Sequence, residues 1–206
     1  MHSESPPRGS VRPLSRTEVI LTPGSPFTHA ELRAMAIDGV VRRVVGTAYA
    51  SSAHEETAAL RAAALGATLD AGIANKAVVG RLSAAWIYGC SAAPEAPVLL
   101  VPAPRRLSSA GKGPGILLHE VALGDFDVVD LGPVQVTSPL RTAVDIAVHT
   151  EAKTALPVLR RLLARPGLGL TLSLMRRALE SLPRQPHKRR GREVLHRLEA
   201  GAAASA

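Results

Sequence analysis

The segment from Thr137 to Ala147 constrains the fold more strongly than any other part of the chain. Residues 134–136 alternate between apolar and polar side chains, as in a β-strand. Directly after them, Ser138 is a favourable N-cap and Pro139 occupies the first helical position, where its missing N–H costs nothing. The sequence therefore predicts a strand that leads without a loop into a helix.

The predicted helix combines an apolar face with a charge pair. Leu140, Val144 and Ala147 fall on one side, while Arg141 and Asp145 are one turn apart and can form an ion pair. An exposed pair of this kind is worth only about 0.3–0.5 kcal/mol. A buried Arg141 would instead need Asp145 and nearby carbonyls for its donors, and we then expect a polar brace that fixes the helix against the sheet.

Three motifs of the chain together resemble the AbiEi family of antitoxins. These antitoxins belong to type IV toxin–antitoxin systems, and the resemblance is to an actinobacterial-like form. The three motifs are the run Thr137-Ser138-Pro139-Leu140-Arg141-Thr142 with Asp145 and Ala147, the run Ser83-Ala84-Ala85-Trp86-Ile87-Tyr88-Gly89, and the valine-rich stretch Val98 to Pro102. The resemblance extends from Pro26 to Leu182. It implies a DNA-binding antitoxin that represses its own operon and opposes a nucleotidyltransferase toxin, and it implies a structural role for Thr137, Ser138, Pro139, Arg141, Asp145, Trp86 and Gly89.

The composition allows one ordinary domain and a small additional one. The chain has 206 residues, of which 46% are hydrophobic and 2% aromatic, so Val, Leu, Ile and Ala must form the interior. Trp86 and Tyr88 are therefore expected to pack in the core.

Cysteine content and hydropathy indicate a cytoplasmic protein. The single Cys90 excludes an internal disulfide and a cysteine-only metal site. The first residues, Met1 to Arg12, contain no apolar core segment, and no window approaches the roughly 20 apolar residues of a membrane span. We expect no export and no membrane partner.

The positive charge is concentrated at the C-terminal end. Residues 151–206 carry 12 Lys and Arg against 4 Glu, whereas the preceding 150 residues carry 13 of each sign, so the whole formal charge of +8 lies in the last quarter. This distribution suits a polyanion such as DNA, or an acidic protein partner, although a solvated basic surface explains it as well.

We predict an α+β protein with a small N-terminal winged-helix-like unit, an α+β domain and a C-terminal helical segment. After a flexible arm, residues 1–25, the unit comprises residues 26–53. Thr28 and Glu31 have capping-box spacing for a helix that ends before Gly39, and a basic two-stranded ribbon turns near Gly46.

This unit departs from the family pattern, which places a separate recognition helix between the first helix and the wing. The stretch after Thr28 has room for one helix only. Either that helix is the recognition helix, with residues 19–21 as a remnant of its partner, or the DNA-reading unit is degenerate. Arg33, Arg42 and Arg43 are the predicted DNA contacts in this unit, and a solvated face is the alternative.

The α+β antitoxin-like domain is predicted to comprise residues 54–183. Helices are expected at 55–69 and 81–88, strands at 98–101, 116–121, 126–131 and near Val134, a loop at 105–115, and further helices at 155–163 and 172–182. Residues 184–206 are predicted to be a basic tail that folds little by itself, and we expect its cations to contact phosphates. These cations are Lys188, Arg189, Arg190 and Arg192.

No catalytic, metal or cofactor site is predicted. His119 and Glu120 are neighbours in a strand and point to opposite faces. Asp125, Asp127 and Asp130 lack the rest of a nuclease motif and indicate a solvated sheet edge. Some proteins of the resembling family continue into an endonuclease domain where this chain ends, so we expect no nuclease activity.

The leading hypothesis is a non-catalytic antitoxin and transcriptional autorepressor that binds its own promoter DNA and a cognate nucleotidyltransferase toxin. The alternative is a protein-interaction module that has lost DNA reading and whose basic tail contacts an acidic partner. The sequence leaves self-association into a homo-oligomer open.

Overall fold

The computed structural model describes residues 20–24, 26–103, 115–182 and 187–203. The predicted arm therefore lies almost entirely outside the described residues, as does most of the predicted loop at 105–115. The helices and strands follow one another along the chain in this order: β1 Ile20–Leu21, α1 His29–Ile37, β2 Val41–Val45, β3 Ala48–Ser51, α2 Ala58–Gly66, α3 Ala71–Ala74, β4 Val78–Val79, α4 Arg81–Ile87, β5 Val98–Pro102, β6 Leu117–Val121, β7 Val128–Asp130, β8 Gln135–Thr137, α5 Pro139–His149, α6 Ala152–Ala164, α7 Leu172–Ser181 and α8 Lys188–Ala203. The α+β class is confirmed.

The first sheet has three antiparallel strands in the order β1-β3-β2. The predicted capping box precedes α1, where the Thr28 hydroxyl accepts from Glu31 N and the Glu31 carboxylate accepts from Thr28 N. The predicted turn between β2 and β3 is also confirmed, and Gly46 adopts a φ of 54° there.

This sheet lies between two helices. Leu32 of α1 packs with Val41 and Tyr49 in a small apolar cluster, while the other sheet residues join the main core with α2. Those residues are Val44, Val45, Ala48 and Ala50. The N-terminal unit is thus continuous with the apolar core of the following domain.

The second sheet has five described strands in the order β6-β5-β4-β8-β7. β4 is antiparallel to β5 and parallel to β8, β5 is parallel to β6, and β7 is antiparallel to β8. Leu99, Leu100 and Val101 are buried, which confirms the prediction that this apolar run is a strand covered on both faces.

Helices α5 to α8 form a helical layer in which α5 contacts each of the other three. Residues 188–203, which belong to the predicted basic tail, form a helix packed against the other helices of that layer. Val194, Leu195 and Leu198 are buried, and the removal of their apolar side chains from water stabilises the helix on this layer.

Two other predicted elements are shorter in the structure. α2 begins at Ala58 and not at residue 55, because the Thr57 hydroxyl accepts from Leu60 N and caps the helix there. The predicted strand at 126–131 is reduced to β7, because Asp125–Asp127 form a 3-10 turn. Asp125 and Asp127 therefore lie in a turn and not along a strand.

Candidate functional site

Helix α1 presents one face to solvent. Its N-cap and the buried Leu32 fix the helix on the three-stranded sheet. The solvent side carries mainly small or apolar side chains with one cation and one anion, and Ile37 is 84% exposed at its end. The exposed residues are His29, Ala30, Glu31, Arg33, Ala34 and Ile37. A helix face of this composition can approach another surface closely.

Arg33 and Arg43, two of the predicted DNA contacts, are exposed on α1 and on the adjacent strand β2. Arg43 Nε donates to the Gly46 carbonyl at 2.6 Å, so its guanidinium lies over the hairpin turn. Both side chains can reach a polyanion that approaches this unit.

Arg42 differs from these two residues. It is half-buried, its Nη1 donates to the Ser51 carbonyl at 3.0 Å, and its Nε lies 3.6 Å from the Glu56 carboxylate. These contacts hold the side chain across β3, so Arg42 is less accessible to a polyanion than Arg33 and Arg43. Alternation along the strand explains the difference, because neighbours in β2 point to opposite faces.

The four C-terminal cations have different environments. Lys188 donates to the carbonyls of Glu180 and Leu182 at 2.7 and 2.9 Å, and Arg192 forms two 2.7 Å hydrogen bonds with the Glu180 carboxylate. The Arg192 hydrogen bonds lower the pKa of Glu180 to about 2. These two cations fasten α8 to α7.

The other two cations, Arg189 and Arg190, are exposed on the first turn of α8, and no hydrogen bond or ion pair ties them to another part of the described chain. They are the available phosphate contacts of this region.

The brace predicted at the start of α5 is present and has a third member. Arg141 Nε is 2.9 Å from Asp145 Oδ1, and Nη1 contacts both Asp127 Oδ2 at 2.7 Å and the Ala122 carbonyl at 3.1 Å. Only 12% of the Arg141 side chain and 7% of the Asp145 side chain are exposed. Burial raises the pKa of Asp145, and the charge of Arg141 opposes that shift. The predicted pair of Arg141 with Asp145 is confirmed, whereas the contact of Arg141 with Asp127 was not predicted from the sequence.

The threonines of the same motif form hydrogen bonds inside the protein. The Thr142 hydroxyl lies 2.6 Å from the Thr137 hydroxyl and donates to the Thr137 carbonyl at 3.0 Å. Tyr88 OH donates to that carbonyl at 2.7 Å, and Ser138 caps α5 by accepting from Arg141 N. Burial raises the pKa of the Tyr88 hydroxyl. This part of the motif joins β8, α5 and α4.

Trp86 and Gly89 have a structural role at the end of α4. Arg61 donates to the Trp86 carbonyl at 2.7 Å and lies 5.8 Å from the indole ring. Gly89 has a φ of 79°, and a Cβ at this position would collide with the Arg165 guanidinium. The requirement for glycine is therefore mainly conformational, because the guanidinium lies at the end of a flexible side chain that can move aside.

A cleft of about 410 Å³ lies beside the brace and was not predicted from the sequence. Arg81, His119 and His149 come to it from α4, β6 and α5, and Arg141 forms part of its wall. Arg81 Nη1 is 3.0 Å from His119 Nε2, which must accept because a guanidinium only donates. The pKa of His149 is lowered to about 4, chiefly by burial and then by Arg81.

Arg81 is strained and incompletely bonded. Its φ of 53° is the only positive value of a non-glycine residue within the described ranges, and such a conformation costs about 1–3 kcal/mol. Its Nε is buried and has no hydrogen-bond partner among the described residues. No sequence pattern indicates either property, because the residues that meet here are far apart in the chain.

Within the described residues, no three His, Cys, Asp or Glu side chains are arranged to hold a metal ion. The sole cysteine, Cys90, is buried, which raises the pKa of its thiol. Nor does any helix in the described ranges have the length and apolar composition of a membrane span.

Comparison with known proteins gives weak structural similarity alone. No protein-family model matches the chain, and no curated protein matches it. Among solved structures, the chain is similar to the RV2827C protein from Mycobacterium tuberculosis, with 19% sequence identity and a TM-score of 0.35. The similarity covers 81% of this chain and 68% of that chain.

Proposed function

We propose that the protein is a DNA-binding antitoxin of the AbiEi type that represses its own operon. The observation that carries the proposal is the exposed face of α1, held beside the β2–β3 hairpin with Arg33 and Arg43 accessible. The antitoxin activity follows from the sequence resemblance, and DNA binding is supported by the geometry of this unit.

The arrangement of the first three strands supports a winged-helix-like unit. A helix precedes the hairpin, and β1 adds to β3 so that the strand order is β1-β3-β2. In this unit α1 would itself be the recognition helix, and β1 would be the remnant of the preceding part. An α-helix with its side chains is about 10–12 Å in diameter, which fits the roughly 12 Å width of the DNA major groove.

Charge supports a division of roles among the basic residues. Arg33 and Arg43 would orient the unit on DNA, and Arg189 and Arg190 would contact phosphates without reading bases. Each phosphate contact removed should reduce the slope of log affinity against log salt by about 0.9. Arg42, like the cations bound to Glu180, would contribute to stability and not to DNA binding.

Fluorescence anisotropy with the protein's own promoter and a scrambled duplex, at several salt concentrations, tests this proposal. The R33A/R43A variant should lose preference for the promoter, and R189A/R190A should weaken binding to both duplexes equally. R177A is the matched control, since Arg177 is an exposed α7 cation with no charged partner in the described chain. Absent or salt-insensitive binding by the full chain would reject DNA binding.

The antitoxin role would be non-catalytic, would be exercised in the cytoplasm and would oppose a nucleotidyltransferase toxin. Co-expression of the chain with a cognate nucleotidyltransferase toxin should restore the growth of cells that the toxin inhibits. The purified chain should neither cleave DNA with a divalent metal nor transfer a nucleotide from a nucleoside triphosphate to RNA. Metal-dependent cleavage or transfer that persists in a homogeneous sample would contradict the non-catalytic assignment.

The second candidate function, a protein-interaction module without DNA reading, is favoured by one observation. Phe126 is 96% exposed in the turn before β7, although the chain has only two phenylalanines. An exposed aromatic ring is a common centre of a protein interface. If F126A abolishes toxin neutralisation while the wild-type chain shows no DNA binding, this second function replaces the first.

A further inference from the structure

The cleft between α4, β6 and α5, here called the Arg81 cleft, has the properties of a ligand site. Its volume of about 410 Å³ lies within the range of small-molecule pockets. A second depression of about 290 Å³ adjoins it, shares Arg81 and His149, and adds the side chains of Thr150 and Thr154. Arg81 and His149 thus lie between two connected openings.

Among the described residues, no carboxylate forms an ion pair with Arg81. Asp145 acts on it electrostatically but is paired with Arg141. The direct side-chain partner of Arg81 is the neutral nitrogen of His119, and its buried Nε has no acceptor among the described residues. This half-buried guanidinium has lost hydration, and the charge of Asp145 that acts on it is shared with Arg141, so an anionic ligand would stabilise it further.

The backbone of Arg81 supports the same interpretation. A positive φ in a residue with a side chain persists only where the surroundings impose it, and such residues are concentrated at ligand-binding positions. Glycine would adopt the same φ without strain. The structure therefore retains an arginine where a glycine would be easier to accommodate.

The surrounding titratable groups favour an anion. Arg81, His187, His119 and Arg141 all lower the pKa of His149, so positive charge dominates around this imidazole. The carboxylates that line the two openings are Glu120 and Glu151, which are exposed, and Asp145 acts on Arg81 electrostatically while it pairs with Arg141. An anion bound at Arg81 would also favour protonation of the His149 imidazole.

We propose that the Arg81 cleft binds the phosphate group of a small phosphorylated ligand. The free edge of the guanidinium can donate two parallel hydrogen bonds to phosphate oxygens, and His149 can donate one more when protonated, while His119 Nε2 accepts from Arg81 Nη1 and orients the guanidinium. A phosphate offers several acceptor oxygens to this set, whereas a carboxylate offers two. This proposal is independent of DNA binding, because Arg33 and Arg43 belong to another unit.

Isothermal titration calorimetry in phosphate-free buffer tests the site with three probes at constant ionic strength: inorganic phosphate, a nucleoside 5′-monophosphate and an unphosphorylated duplex. The first two should bind saturably, with one site per chain. R81Q should weaken their binding at least about tenfold, the loss expected for a charged hydrogen-bond pair. R177Q is the control and should bind as the wild type does.

Two further measurements separate a ligand site from a merely structural arginine. Phosphate should raise the titration midpoint of the His149 imidazole, measured by NMR, in the wild type and not in R81Q. The R81G variant should unfold no earlier than the wild type without phosphate and should gain no thermal stability on adding it. This variant also keeps the test valid if R81Q fails to fold.

Several outcomes would overturn the proposal. They are the absence of saturable phosphate binding by the wild type, equal binding by R81Q and the wild type, and phosphate stabilisation that survives in R81G. Dependence on Arg81 only with the duplex would also overturn it, since the cleft would then contact nucleic acid and not a small ligand.

Discussion

The brace around Arg141 allows a quantitative test of the structure. Replacing Arg141 by alanine leaves the buried Asp145 carboxylate without its 2.9 Å partner. Breaking a buried ion pair in this way costs about 3–5 kcal/mol. The Asp127 carboxylate is about one-third exposed, so its loss should add no more than about 1 kcal/mol. We therefore expect R141A to lower the free energy of unfolding by about 3–5 kcal/mol.

The other two members of the brace should matter less. D145A removes the buried charge itself and leaves Arg141 bonded to Asp127 and to the Ala122 carbonyl, so its cost should be about 1–3 kcal/mol. D127A should cost about 1 kcal/mol or less. Urea unfolding of the three variants with unchanged m-values would give this order directly.

The pH dependence of R141A identifies the unpaired carboxylate as the cause. Burial already raises the pKa of Asp145 in the folded protein, and removing Arg141 takes away the charge that opposes this shift. A raised folded pKa means that stability is lost as pH rises from the unfolded value through the folded one. The penalty of R141A should consequently be larger at pH 7 than at pH 4.5.

A second substitution provides the decisive control. Asparagine at position 145 keeps the shape of the side chain and removes its charge, so R141A/D145N should be more stable than R141A at pH 7. If R141A costs less than about 1 kcal/mol, or if D145N gives no rescue, the pair is not a buried brace. Unchanged stability with lost function would make the pair part of a binding site.

Two further predictions concern the helical layer. The pKa of His149 is lowered to about 4 in the folded protein, so the stability contributed by its neutral form is complete above the unfolded pKa of 6.5 and should be lost as the pH falls from 6.5 to about 4. In phosphate-free buffer, the free energy of unfolding of H149Q in urea should depend less on pH in this range than that of the wild type. G191A should lower the melting temperature, because its Cβ would lie 2.9 Å from Leu179 at the buried contact of α7 and α8. G72A should raise the melting temperature, because nothing lies within 4 Å of the added Cβ and alanine has a higher helix propensity than glycine. Equal changes of melting temperature in the two variants would contradict the close packing of α8.

Local features of the fold could be predicted from the sequence. The caps at Thr28 and Ser138, the turn at Gly46 and the pair of Arg141 with Asp145 each depend on residues within a few positions, and all are present. In each case the geometry of one turn decides which groups meet. Sequence spacing contains this information directly.

Features that depend on tertiary packing could not be predicted. The apolar residues of α8 were visible, but only their burial against α5 to α7 shows that the segment is a helix and that two of its cations bind Glu180. Arg42 faces away from the exposed side because of its strand register. Arg81, His119 and His149 meet through strand pairing across β4, β5 and β6, and spacing along the chain does not encode that pairing.

The short central strand β4 has a consequence for folding during synthesis. Val78 pairs with Leu100 on one side and with Gln135 on the other, so β4 cannot be paired on both sides until the ribosome has released the segment that ends in β8. Until then, the nascent chain exposes one edge of β4 to solvent. Closing the long loop between β4 and β8 is slow, because it costs conformational entropy before the strands can pair. Chaperone access to the nascent protein is therefore expected in the interval between emergence of β4 and emergence of β8, after which parallel pairing closes the sheet and α5 can dock.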